Sequence, residues 1–134
     1  MMRLAILALC VYLSGAVPAY AHHSLSGYVK KDAVFLTGTV KAFRWANPHV
    51  LLTVEVAMDG APPEEWTLET VGVGQLTEAK FRKDMIAAGD SVTVFYFPRR
   101  DGRVGGFFYA LVLADGNTFT LQPPRARGGL SFTY

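Results

Sequence analysis

The chain has 134 residues, with 13 Lys and Arg against 11 Asp and Glu, a formal charge of +2, and one cysteine. So even a balance lacks the basic stripe that a nucleic-acid partner requires, and a single cysteine excludes both a disulfide framework and a thiolate metal cluster. A chain of this length can bury one hydrophobic core, so a single folded domain is expected.

The first segment reads as an address. Arg3 supplies the positive end, Leu4 to Gly15 the apolar stretch, and Ala19-Tyr20-Ala21 the small-x-small cleavage pattern of a signal peptide spanning 1–21. The apolar stretch is shorter than the roughly 20 residues of a membrane-spanning helix, so no retained span is expected. A cut at Ser14-Gly15-Ala16 is the less favourable alternative, because it leaves Pro18 beside the new terminus. Cleavage after Ala21 makes His22 the mature N-terminus and leaves 113 of the 134 residues. Cys10 lies within the signal and leaves with it, and the expected location is periplasmic or secreted.

Residues 22–32 are polar and aperiodic, an N-terminal arm before the β-rich domain at 33–122. The first strand is expected over Ala33 to Trp45, with Val34, Leu36, Gly38, Val40 and Ala42 on one side and Gly38 as a bend or bulge. Asn47-Pro48 punctuates the chain before a second strand, His49 to Met58, whose apolar residues alternate cleanly. Asp59 to Pro63 reads as a turn and Glu65 to Val71 as a third strand. Gly72 and Gly74 release the chain into a short helix at about Gln75 to Arg82, with Leu76, Ala79 and Lys80 on one side. Strands at Ser91 to Phe97, Gly105 to Leu113 and Thr118 to Gln122 follow, and a loose tail occupies 123–134. Three strands, a short helix and two or three further strands is the chain order of a small OB-like barrel, closed or curled, with the helix plugging one end.

All three histidines fall in two places: His22 and His23 at the expected terminus, and His49 directly after Asn47-Pro48. A terminal histidine offers its α-amine and ring Nδ1 to one metal, and because the amine titrates near about 7.7 to 8 a metal can displace its proton at neutral pH. Nitrogen ligation without thiolate suits Cu(II) or Ni(II), and copper(II) tops the stability order of common divalent ions. His49 would complete a three-nitrogen brace if the arm folds back over the turn, whereas His23 can take the same place or bind Cu(I) beside His22. Around such a site Glu69 could orient an imidazole, Asn47 could hydrogen-bond and Trp45 could exclude water. Plainer roles are open to each of them. Terminal histidines are commonly solvated, a histidine after a turn commonly bonds to backbone, Trp45 and Trp66 are of the size that fills small cores, and Glu69 could pair with Arg44. No GxSxG elbow, zinc-protease helix or phosphate-cradling loop is present, and Ser24 beside His23 is a neighbour in sequence only.

Ala21-His22-His23-Ser24, then Leu36-Thr37-Gly38-Thr39-Val40, then Trp45-Ala46-Asn47-Pro48-His49 resemble the motifs of a small exported domain family of proteobacteria with no assigned activity. The resemblance covers most of the mature chain and implies an exported domain with His22, His23 and His49 as the positions of interest. The loop Thr70-Val71-Gly72-Val73-Gly74 and the Arg-rich tail depart from the family layout. The expectation is therefore a periplasmic metal-binding protein, with copper the metal, rather than an enzyme. An OB-like module that docks a periplasmic protein or small ligand is the rival reading, and a brace-containing oxidative enzyme has little room for a substrate platform in 113 of the 134 residues.

Overall fold

In the computed structural model the chain is described over residues 25–29 and 34–121. The signal segment, His22, His23 and Ser24, residues 30–33 and residues 122–134 lie outside the described residues.

Among the described residues six strands form one sheet: β1 (Val34–Arg44), β2 (Leu51–Met58), β3 (Ala61–Glu69), β4 (Ser91–Pro98), β5 (Gly106–Leu113) and β6 (Thr118–Thr120). Their order is β3-β2-β1-β4-β5-β6, and a parallel pairing of β3 with β5 closes the first five into a ring. Only Leu68↔Gly106 and Glu69↔Phe107 make that closure, so the ring is tight at one end and uneven elsewhere. This is the OB-like, mostly antiparallel arrangement that the chain order predicts, with the one short α-helix, α1 (Val73–Glu78), between β3 and β4.

β1 holds the ring together by serving both halves: Val34 to Thr39 pair with β4, and Thr39 to Arg44 pair with β2. The expected bulge lies a little further on than Gly38, where the register shifts between Val40 and Ala42. One extra residue there changes which face each side chain takes. Val40 is buried and Ala42 exposed, and Phe43 packs against the core instead. Gly38 has a different reason to be glycine: a Cβ would lie 2.3 Å from the Glu55 carbonyl oxygen and 2.6 Å from Val54 Cγ1.

Two further boundaries differ from expectation. β3 begins at Ala61, so Pro62 and Pro63 stand inside a strand and the turn is only Asp59-Gly60, with Gly60 at φ +72°. The register shifts between Val56 and Met58 opposite these prolines, which lack the N–H that a regular ladder would require. The helix is shorter than the predicted Gln75 to Arg82 and buries only Leu76, whereas Ala79 and Lys80 are exposed. It ends because Lys80 N–H bonds to Thr77 O at 3.0 Å and Phe81 N–H to Leu76 O at 2.9 Å, with Lys80 at φ +65°. This is a Schellman termination with lysine where glycine fits without a Cβ penalty. Lys80→Gly is expected to raise stability by about 0.5–1 kcal/mol in urea denaturation, since it relieves a left-handed side-chain conformation.

Beyond α1 the chain drives Phe81 into the hydrophobic core, where it is fully buried. Its ring meets Phe119 at 4.2 Å, Phe43 at 6.0 Å and Trp45 at 6.1 Å between centroids. The interior proper is built from Leu52, Val54, Leu68, Val94, Phe108 and Leu111, all fully buried. No helix among the described residues is long and apolar enough to cross a membrane.

Candidate functional site at the closed end of the barrel

The β1–β2 loop, the end of β3 and the β4–β5 loop meet where β3 closes onto β5. Leu51 at the start of β2 pairs with Glu69 at the end of β3, and Glu69 pairs in turn with Phe107 of β5. His49 Nδ1 lies 3.1 Å from Glu69 Oε2, the two side chains being 34% and 31% exposed. Both are therefore still reachable from solvent. A carboxylate at this distance from one ring nitrogen fixes the orientation of an imidazole, which is the arrangement that metal-ligating histidines use.

Burial pushes the Glu69 carboxyl above its ordinary value, and the Arg99 guanidinium pulls it partly back. A protonated His49 at 3.1 Å would act in the same direction as Arg99. Arg99 is itself held by Asp101, with Nη2–Oδ2 at 2.9 Å, and Arg103 donates to the same carboxylate through Nε at 2.8 Å. These two guanidiniums hold the Asp101 carboxyl well below the usual carboxylate range. The β4–β5 loop thus sets three arginines, Arg99, Arg100 and Arg103, against the single carboxylate of Asp101 and keeps a net positive charge. Directly behind Glu69, the hydroxyl of Thr70 is fully buried without a hydrogen-bond partner among the described residues.

Asn47 and Trp45 each tie the β1–β2 loop to a neighbouring element. Asn47 Oδ1 accepts the backbone N–H of Val73 at 2.9 Å, so a side chain from the β1–β2 loop satisfies the first orphan donor of α1. The approach is close enough that a Cβ at Gly72 would fall 2.8 Å from the Pro48 carbonyl oxygen and 2.9 Å from Asn47 Oδ1. Trp45 packs its indole on Phe43, at 5.8 Å, and on Phe81. Glu69 faces His49, where sequence alone left Arg44 as its other candidate partner.

The arm is the feature that residue spacing did not reveal. Leu25–Gly27 form a 3-10 turn, after which Val29 N–H bonds to Pro98 O at 2.9 Å and Arg100 N–H to Gly27 O at 2.8 Å. Tyr28 forms a bridge with Arg99 and sets its ring 5.7 Å from that of Phe107. Phe107 is the strand partner of Glu69, so the arm docks on the strand next to the residue that holds His49. Three peptide steps, across His23 and Ser24, lead from His22 to Leu25, a reach of roughly 10 Å.

A family of unknown function, DUF6152, matches residues 10–108. The chain belongs to that family. The DUF6152 match runs through the arm, His49, Glu69 and the Arg99 loop, and ends beside the β3–β5 closure at Phe108. A comparison with curated proteins gave no match. Within the described part of this DUF6152 domain no three His, Cys, Asp or Glu side chains gather closely enough to hold a metal ion.

Proposed function

We propose that this domain is exported to the periplasm, loses residues 1–21, and binds copper through the amine and imidazole of His22 together with His49, with His23 auxiliary. The observation that carries this reading is the anchoring of the arm at the barrel end that bears His49. Tyr28 rests on Phe107, Phe107 pairs with Glu69, and Glu69 holds His49. An arm tied at that point presents its first residues to His49 at high effective concentration, which lowers the entropic cost of closing a chelate. The donor set fits the metal: nitrogen ligands without thiolate favour copper(II), and Glu69 is the carboxylate that such an imidazole requires.

A second reading draws on the His49–Glu69 pair and the solvent exposure of both side chains. In it the domain is an OB-like module in which these side chains hold a protein or small ligand at the β1–β2 and β4–β5 loops. Titrating the processed domain with Cu(II), beside a form carrying one extra N-terminal residue, separates the two. Copper binding through the amine predicts that the extra residue weakens uptake by more than the roughly 10–100-fold that loss of a supporting partner costs. Equal affinity of the two forms contradicts the chelate and favours the interaction module.

A further inference from the structure

The outer face of β1, β4, β5 and β6 carries an apolar strip. Phe35 is 65% exposed and pairs across the strands with Phe95, their rings 5.8 Å apart. Phe95 pairs with Ala110 and Ala110 with Thr120, which continues the row across four strands. Beside it Phe95, Ala110, Val112, Thr118 and Thr120 line a cleft of about 430 Å³ without a charged residue.

This cleft ends at an open sheet edge. Among the described residues β6 pairs only with β5. Leu113 N–H bonds to Asn117 O and Leu121 N–H to Tyr109 O, so Asn117, Phe119 and Leu121 turn their backbone groups toward β5. By the alternation of an antiparallel ladder, Thr118 and Thr120 turn theirs outward. Unpaired backbone beside exposed aromatics is a template for one more strand.

We propose that residues Leu130–Tyr134 of this same chain add to the β6 edge, laying Leu130, Phe132 and Tyr134 over the cleft. Thirteen residues follow Leu121, and the last five, Leu-Ser-Phe-Thr-Tyr, alternate large apolar with small hydroxyl side chains and carry no charge or proline. Pro123 to Gly129 lie between, with Gly128-Gly129 suited to reversing direction, and the eight residues from Gln122 to Gly129 are ample for a turn back along β6. The neutral cleft matches these side chains and not Arg125 or Arg127. A second copy paired through a three-residue edge would bury far less than the roughly 1,200 Å² of a stable interface. A tethered segment is instead present at about millimolar effective concentration.

Amide hydrogen exchange on the intact chain, on a form ending at Gly129, and on Phe132→Asp tests this. Thr118 and Thr120 amides are expected to exchange at least tenfold faster in both altered forms, with Val94 and Leu111 unchanged. The same rates in all three forms would overturn the proposal. Protection of the intact chain that grows with protein concentration would also overturn it and assign the edge to a second copy.

Discussion

Phe81→Ala is expected to destabilise the domain by about 3–5 kcal/mol, the cost of emptying a fully buried aromatic site. The ring fills the space between Phe43, Trp45 and Phe119, which come from β1, the loop after it and β6. No backbone movement brings those three elements together, because each is tied into a different part of the sheet, so the cavity cannot collapse far. Thermal unfolding should show a fall in Tm of roughly 12 °C or more, from about 4–8 °C per kcal/mol in a domain of about 100 residues. A change below about 1 kcal/mol would mean that the helix and Phe81 lie over the barrel without sealing it.

Gly106→Ala is expected to cost about 3 kcal/mol or more and to loosen the closed end of the barrel. A Cβ at this position would lie 2.4 Å from the Phe97 carbonyl oxygen and 2.5 Å from Tyr96 Cδ2. The carbonyl belongs to the neighbouring strand and cannot swing aside as a side chain can. Gly106 also faces Leu68 in the parallel closure, and the next pair is Glu69 with Phe107. Displacing β5 here should therefore free the arm at Tyr28 as well as lower the denaturation midpoint. Gly74→Ala is the control: nothing lies within 4 Å of its Cβ, and in a helix the exchange should be neutral or stabilising by up to about 1 kcal/mol. Equal effects of the two substitutions would contradict the close approach at Gly106.

Strand positions and the OB-like order were legible because each strand buries one face, and Leu52 and Val54 alternating with Leu51, Thr53 and Glu55 is how that burial looks in a chain. Pro62 and Pro63 misled because proline signals a turn by its missing N–H, and a register shift at an edge tolerates the same loss. The end of α1 was hidden for the opposite reason: lysine carries no turn signal, yet Lys80 occupies a left-handed position. At the site, His49 and Glu69 could be chosen from their chemistry and chain positions, and they meet. Trp45 and Asn47 were chosen by proximity in sequence, and their contacts with Phe81 and with the first turn of α1 join residues too far apart in the chain to leave a local pattern. The docking of Tyr28 on Arg99 and Phe107 joins residues far apart in the chain and carries no local pattern. A tyrosine following glycine in a polar arm, upstream of Arg99-Arg100, was the only available hint.

The central functional claim is that one copper ion is shared between the front of the processed chain and His49. Electron paramagnetic resonance of the processed domain loaded with one equivalent of Cu(II) counts the nitrogen ligands directly. The account predicts three nitrogens, falling to two in His49→Ala with at least a tenfold loss of affinity. An identical spectrum and affinity in His49→Ala would contradict it.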